Sequence, residues 1–293
     1  MIANSTIAAG RVTVPDGLSS YPGGKSGSGI YQRLINRIPR HRILVSAFAG
    51  QCGVTRNIKP AEHTVVIDAD PDVCDWWDSW RRSKAGRAVE IHHCDSMDWL
   101  RFRFGLSQYA GSVAAWDDGR DRDRTSPNSA TSAGADQYGG GRSPLHDSAE
   151  YFIFADPPYV LAERSHGKQY RCELTDSDHQ RLLSILCRLP ASRARIMLCG
   201  YASPIYSAVD REWRSIDHRV PTRGGLQDER IWMNYPRPRT LHDYRYVGEC
   251  RRSRERIRRR QRNWVSQLEA MPDPERAAML EALRGVDSEN LSP

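Results

Sequence analysis

Five short apolar runs separated by amphipathic stretches are the feature that most constrains how this chain can fold. After the second run, Val73, Trp76, Trp77 and Trp80 recur at helical spacing. Strands that alternate with helices predict an α/β fold with a doubly wound, mostly parallel sheet. The runs are ILVSAFA (43–49), TVVI (64–67), AVEIH (88–92), YFIFA (151–155) and ARIMLC (194–199).

The residues that follow the first four runs indicate where a ligand would bind. These runs lead to Gly50, Asp68, Asp95 and Asp156. In doubly wound sheets, ligands bind beyond the carboxyl ends of the strands. We therefore expect four separated segments to converge on one crevice.

Composition divides the chain into a main domain and less regular parts. No apolar run approaches the roughly 20 residues that a membrane span requires. Residues 112–148 are rich in Gly, Ser, Asp and Arg, which is typical of a mobile insertion. We expect an N-terminal extension (1–17), a main domain (18–245) with an insertion at about 101–150, and a basic helical tail (246–293) that forms a hairpin and stops at Gly285.

Charge and cysteine usage narrow the class of protein. The formal charge of +7 favours a polyanionic partner, although a coding bias towards arginine would also produce it. The seven cysteines are scattered without zinc spacing, so we expect reduced thiols and no metal site. The first residues lack the basic and apolar segments of a secretory signal, and a cytoplasmic location is expected.

The tetrapeptide Asp156-Pro157-Pro158-Tyr159 carries the most specific chemistry, because it directly follows an apolar run. The Asp156 carboxylate and the Pro157 carbonyl can accept both hydrogens of an exocyclic amine on a planar base, and they can stabilise the positive charge that develops on methylation. Prolines hold the segment rigid, and Tyr159 offers a ring on which the base can stack. The alternative is an ordinary turn that ends a strand.

A glycine-lysine element, Tyr21-Pro22-Gly23-Gly24-Lys25, lies near the N-terminus. It lacks the spacing of a phosphate loop, and no strand precedes it, so a nucleoside-triphosphate site is not expected.

The order of these elements resembles the class D12 (Dam-like) DNA adenine-N6 methyltransferases of bacteria and phages. The resemblance covers about residues 18 to 240 in pattern and implies a Rossmann-like fold that uses S-adenosylmethionine. It departs from the family at Cys52, where the glycine loop is expected to carry its second glycine, and Gly53 is the candidate to replace it.

The resemblance also implies which residues bind the cofactor. Asp68 would hold the ribose hydroxyls, and Asp95 would lie near the adenine amine, with a helix N-cap as the equally weighted alternative for Asp95. The run Glu229–Tyr235 resembles the family's late strand, in which Trp232 is expected to be simply buried. The implied cofactor residues are Tyr21, Gly23, Gly24, Lys25, Phe48, Gly50, Gly53, Asp68 and Asp95.

Two groups of residues are candidates for nucleic-acid contacts. His166, Lys168, Tyr170 and Arg171 follow the tetrapeptide and combine rings with cations, although a surface loop is the alternative. In the tail, Arg254 and Arg258 represent a basic segment that could bind phosphates, form a solvated helix or contact a partner.

The sequence thus predicts site-specific methylation of adenine N6 in DNA, with the adenine flipped out of the duplex. RNA adenine methylation is the first alternative, since the tetrapeptide constrains the amine and not the sugar. Cytosine-N4 methylation comes third, because those enzymes more often carry Ser in the first position. A catalytically silent DNA-binding relative is the alternative of a different class. A restriction endonuclease partner and the oligomeric state are not inferable.

Overall fold

The computed structural model describes residues 24–27, 29–83, 88–106, 150–164, 167–222 and 225–289. These divide into a first unit, Arg40–Gly50 with Pro60–Pro236, and a second unit, Gly23–Pro39 with Gln51–Lys59 and Arg237–Pro293. The predicted extension (1–17) and the predicted mobile insertion (112–148) lie outside the described residues.

The first unit is built on one seven-stranded sheet in the order β3-β2-β1-β4-β5-β7-β6. The first five strands are parallel, whereas β7 is antiparallel to both β5 and β6. The prediction of an α/β fold with a doubly wound, mostly parallel sheet is confirmed. The strands are β1 (Ile43–Ala47), β2 (His63–Asp68), β3 (Glu90–His93), β4 (Tyr151–Ala155), β5 (Ala194–Gly200), β6 (Arg214–Thr222) and β7 (Gly225–Met233).

Four helices and two short 3-10 turns connect the strands of this unit. The predicted tryptophan helix is present as α3, and Trp76, Trp77 and Trp80 are buried on it. In α5, Thr175 and Asp178 form a reciprocal capping box that fixes the first turn. The helices are α3 (Pro71–Ser83), α4 (Ser96–Arg103), α5 (Asp176–Cys187) and α6 (Ser207–Glu212), and the 3-10 turns are Leu161–Glu163 and Pro204–Tyr206.

The strand order reverses between β1 and β4. From β1 the chain continues to β2 on one side, and from β4 it continues to β5 on the other. The two strands pair in register from Ile43 opposite Tyr151 to Ala47 opposite Ala155. At such a switch point no connection covers the carboxyl ends, which leaves a crevice for a ligand. The tetrapeptide that starts at Asp156 leaves the sheet at this point.

The second unit contains α1 (Ile30–Ile35), α2 (Gly53–Asn57), α7 (Arg251–Ala270) and α8 (Asp273–Glu289). The two helices predicted for the tail are present as α7 and α8. The predicted stop at Gly285 is wrong, because α8 continues to Glu289. A glycine commonly ends a helix by adopting a positive φ, and Gly285 is not among the described glycines that do so.

None of the helices described in the structure is long and apolar enough to cross a membrane. The seven cysteines are all free thiols.

A buried histidine in the first unit gives stability a pH dependence. His179 is fully buried, and its Nδ1 lies 2.9 Å from the Tyr206 hydroxyl. Burial lowers the pKa of His179. Below the ordinary histidine pKa of about 6.5, the His179 ring is protonated in the unfolded chain, whereas in the folded protein it stays neutral to a lower pH.

We therefore expect the free energy of unfolding to fall as the pH drops below about 6.5, by at most about 1.4 kcal/mol per pH unit from this group. Chemical denaturation of His179→Gln should show a smaller dependence on pH between 7 and 5 than the native protein. His63→Gln, at an exposed position, is the matched control. An unchanged pH dependence in His179→Gln would contradict this assignment.

Candidate active site at the strand ends

The segment after β4 is held beside the end of β1. All five residues of β4 are buried, and the Asp156 N–H donates to the Ala47 carbonyl at 3.4 Å. Asp156 is half-buried, whereas Pro157 and Pro158 are buried. The two prolines fix the backbone, which leaves the carboxylate as the polar group of this turn.

Tyr159 is bonded to the carboxylate that begins the tetrapeptide. Its hydroxyl donates to Asp156 Oδ1 at 3.3 Å, and its ring meets the Tyr201 ring edge-on with 4.6 Å between centroids. Burial, and then the negative charges of Asp156 and Glu229, raise the pKa of Tyr159 well above its usual range. Tyr159 is therefore a neutral hydrogen-bond donor at any ordinary working pH.

Tyr201 and Glu229 are site residues that were not identified from the sequence. Tyr201 directly follows β5, and Glu229 is buried on β7. The Glu229 carboxylate lies 3.4 Å from Nε2 of His218, its partner on β6. The only signal in the sequence was a glutamate that opens the apolar run Glu229–Tyr235. Trp232, in the same strand, is fully buried as predicted.

The chain after the tetrapeptide folds around Arg164. Its Nε donates to the Tyr159 carbonyl at 2.7 Å, and its guanidinium pairs with Glu173 at 2.7 Å. Glu173 also accepts the backbone N–H groups of Gln169 and Tyr170. Burial opposes ionisation, but the Arg164 bond and these two amides outweigh it and lower the pKa of Glu173. This network ties the position of Tyr159 to the following loop.

The residues of this loop that were predicted to contact nucleic acid have different surroundings. Lys168 is exposed, and the Tyr170 ring lies under the Arg164 guanidinium at 5.3 Å. Arg171 is 3.5 Å from an Asp70 oxygen and 3.3 Å from an Asp72 oxygen. These carboxylates offset the charge of Arg171. His166 lies outside the described residues.

The loop after β1 is strained and held by buried groups. Phe48 has φ 54, which is uncommon for a residue other than glycine, and Gly50 has φ 44. The Phe48 N–H donates to Ser96 Oγ at 3.0 Å. The Gly50 carbonyl accepts the Trp77 indole N–H at 2.6 Å. Such strain persists only where the surroundings fix the backbone, and it is common at ligand sites.

Asp68 is the buried acceptor for this loop. Its carboxylate accepts the N–H of Gly50 at 2.8 Å, that of Asp70 at 2.9 Å and that of Ala69. Burial nevertheless raises the pKa of Asp68 above its usual value. A carboxylate has about four acceptor positions, so these three amides leave about one for a ligand.

Asp95 is the N-cap of α4, which was the alternative prediction for this residue. Its Oδ1 accepts the N–H groups of Met97 at 2.8 Å and Asp98 at 2.9 Å. The role of Asp95 near a cofactor adenine stays a prediction.

Gly24 and Lys25 of the glycine-lysine element belong to the second unit. The Gly53 N–H donates to the Gly24 carbonyl at 2.7 Å, and Lys25 is buried with φ 50. Cys52, at the position where the family carries glycine, accepts the Thr55 N–H with its sulfur and so begins α2. The roles of Gly24, Lys25 and Gly53 towards a cofactor stay predictions, and Tyr21 and Gly23 lie outside the described residues.

Gly53 cannot carry a side chain without a backbone shift. A Cβ at this position would lie 2.7 Å from the Lys25 carbonyl oxygen and 2.9 Å from its carbon. We expect Gly53→Ala to lower the melting temperature. Gly285→Ala, in a helix with open space, should instead stabilise the protein by up to about 1 kcal/mol. Thermal unfolding of both variants checks this, and equal effects would contradict the close packing of Gly53.

No family model and no curated protein sequence matches this chain. Several solved structures are similar to this chain at low sequence identity. An O-methyltransferase from Bacillus cereus in complex with SAH is 13% identical over 75% of this chain and 84% of that chain, with a TM-score of 0.37. An rRNA methylase from Streptococcus thermophilus is 8% identical over 69% and 92%, with a TM-score of 0.37.

A SAM-dependent methyltransferase from Agrobacterium tumefaciens is 14% identical over 69% of this chain and 58% of that chain, with a TM-score of 0.35. The order and direction of the strands establish the α/β fold class by themselves. The activities in these names belong to those proteins.

Proposed function

We propose that this protein is an S-adenosylmethionine-dependent methyltransferase that acts on adenine N6 in DNA, as its resemblance to the class D12 enzymes predicts. The observation that carries the proposal is the position of Asp156 at the switch point of the sheet, with its side chain bonded to the Tyr159 hydroxyl. A carboxylate fixed in this way, followed by two buried prolines, is suited to accept hydrogens from an exocyclic amine.

The proposed chemistry depends on Asp156 and the Pro157 carbonyl. Each accepts one N–H of the base, which draws the nitrogen towards tetrahedral geometry and makes its lone pair available. S-adenosylmethionine, when bound, would supply an electrophilic methyl group and would leave as the neutral thioether. Asp156 then takes the proton that the methylated nitrogen releases and passes it to solvent.

Negative charge around the tetrapeptide supports the same reaction. The nitrogen becomes positive as the methyl group arrives, and preorganised negative groups stabilise that charge. Asp156 and the buried Glu229 are the carboxylates that act on the Tyr159 hydroxyl. Tyr159 stays neutral in this field, so it orients Asp156 as a donor without adding charge.

The residues after β1 and β2 fit the cofactor in their chemistry. Asp68 keeps about one acceptor position, which suits one ribose hydroxyl and not the two that the resemblance implied. Phe48 and Gly50 belong to a strained, firmly held loop of the kind found at ligand sites. Asp95 retains the second oxygen of its carboxyl group beyond the one that caps α4.

The first test is transfer of labelled methyl from S-adenosylmethionine to unmethylated DNA and to matched RNA, followed by nucleoside analysis. We expect N6-methyladenine in DNA. Asp156→Asn should lower kcat by about 10²- to 10³-fold, because it removes the negative charge that stabilises the transition state and the carboxylate that takes the proton. Cofactor binding, measured by calorimetry, should change little. Asp228→Asn, which alters an exposed carboxylate, is the matched control.

The other outcomes decide between the alternatives. Label in RNA alone would move the substrate from DNA to RNA, and N4-methylcytosine would overturn the assignment of the base. Cofactor binding without transfer to either nucleic acid would contradict the proposed activity and favour a silent relative.

Substitutions at Tyr159 separate its hydroxyl from its ring. Tyr159→Phe keeps the ring and loses the bond to Asp156, so we expect a roughly tenfold lower kcat, equivalent to about 1.4 kcal/mol. Tyr159→Ala should weaken DNA binding by a further 1–3 kcal/mol or so, since base stacking on the ring is lost. Steady-state kinetics would check both variants. Equal losses in the two variants would contradict a stacking role.

A further inference from the structure

Helix α7 presents an exposed face of arginines. Eight of its twenty residues are arginine, and all eight lie between Arg251 and Arg262. Five of them are exposed and have no ion-pair partner among the described residues. We call these five the outer arginine face: Arg252, Arg256, Arg259, Arg260 and Arg262.

The other three arginines of α7 have partners within the protein. Arg254 is 9% exposed and donates to the Gly248 carbonyl at 3.3 Å. Arg258 donates to the Arg245 carbonyl at 3.1 Å, and Arg251 pairs with Glu255 at 2.8 Å. The sequence had pointed to Arg254 and Arg258 as phosphate contacts. Their side chains donate hydrogen bonds to backbone carbonyls within the second unit. The outer arginine face is therefore the part of α7 that is available to bind phosphates.

Helical spacing places four of the five outer arginines on one side of α7. At 3.6 residues per turn, Arg252, Arg256, Arg259 and Arg260 point in similar directions, and Arg254 points the opposite way. Arg262 points about 80° to the side of Arg252. From Arg252 to Arg260 the face is about 12 Å long at 1.5 Å per residue. It is therefore a continuous stripe of positive charge along the helix.

This stripe is unfavourable for the helix on its own. Like charges three and four residues apart each destabilise a helix by about 0.2–0.5 kcal/mol. Arg252 also lies in the first turn of α7, where the helix dipole disfavours cations. The first turn carries no acidic residue. A polyanion bound along the stripe would reverse both effects.

We propose that the outer arginine face binds the phosphate backbone of the nucleic-acid substrate. The choice of nucleic acid as the partner rests on the proposed function. Guanidinium groups bind phosphates in a bidentate manner. A stripe of about 12 Å matches about four phosphates of one strand at 3.4 Å each. Backbone contacts of this kind hold the substrate without reading its sequence.

The test uses the full-length protein and a labelled 20-base-pair duplex, with binding measured by fluorescence anisotropy at several salt concentrations. In one variant the five outer arginines become glutamine. We expect its affinity to fall on the order of 10- to 100-fold, and the slope of log K against log salt to become less steep by about 4 to 5. Circular dichroism would verify that the helix remains.

A charge-matched control removes five exposed arginines outside α7: Arg40, Arg188, Arg211, Arg237 and Arg239. It should change the affinity by less than about twofold and leave the salt slope unaltered. Equal losses in both variants would overturn the proposal, because net charge alone would then explain binding. If the variant without the outer arginines lost binding to phosphatidylserine vesicles but still bound the duplex normally, the proposal would also be overturned.

The two proposals fail separately. Methyl transfer to DNA by the native protein, with normal duplex binding by the five-arginine variant, would leave the activity standing and reject the arginine face. A binding defect in that variant without methyl transfer by the native protein would support the face and reject the activity.

Discussion

The in-register pairing of β1 with β4 is the constraint on which the candidate site depends. Ala47 and Ala155 are opposite each other at the last rung, so the chain leaves both strands at the same level. The Asp156 N–H to the Ala47 carbonyl extends this ladder one step beyond the strand. A slip of one residue would turn Asp156 to the other face of the sheet. Pairing therefore determines both where the tetrapeptide stands and which way its carboxylate points.

Buried polar groups beside the β1–β4 pair fix backbone conformations that apolar packing alone would not favour. Phe48 adopts a left-handed conformation that costs about 1–3 kcal/mol. Asp68 bonds to the backbone after β1, and the Trp77 indole bonds to the same turn. Burial of the Asp68 carboxylate opposes its charge, as its raised pKa indicates. The loop after β1 is thus held by Asp68 of β2 and Trp77 of α3 and not by its own local stability.

The sequence alone predicted the five parallel strands, but it did not predict β6 at the antiparallel edge of the sheet. Continuous apolar runs identified β1, β2, β4 and β5, because strands that are buried on both faces carry few polar residues. The run at 43–49 was two residues longer than β1, which ends at Ala47 where Phe48 takes its positive φ. Strand β6 was missed, because Arg214–Thr222 has no continuous apolar run and depends on pairing with β7. Tyr201 follows β5 and Glu229 lies on β7, and only the folded structure brings both near Tyr159.

The distribution of charged residues on helix α7 is more informative than the net charge of the protein. A coding bias towards arginine would raise arginine everywhere, without regard to its neighbours. On the antiparallel edge of the sheet, arginines stand opposite carboxylates, as Arg219 does with Asp228 and Arg230 with Asp217. On α7 only Glu255 and Glu269 are acidic, and Glu255 pairs with Arg251. Bias explains the number of arginines, but it does not explain why eight arginines share a helix with only two carboxylates, whereas the proposed polyanionic partner would.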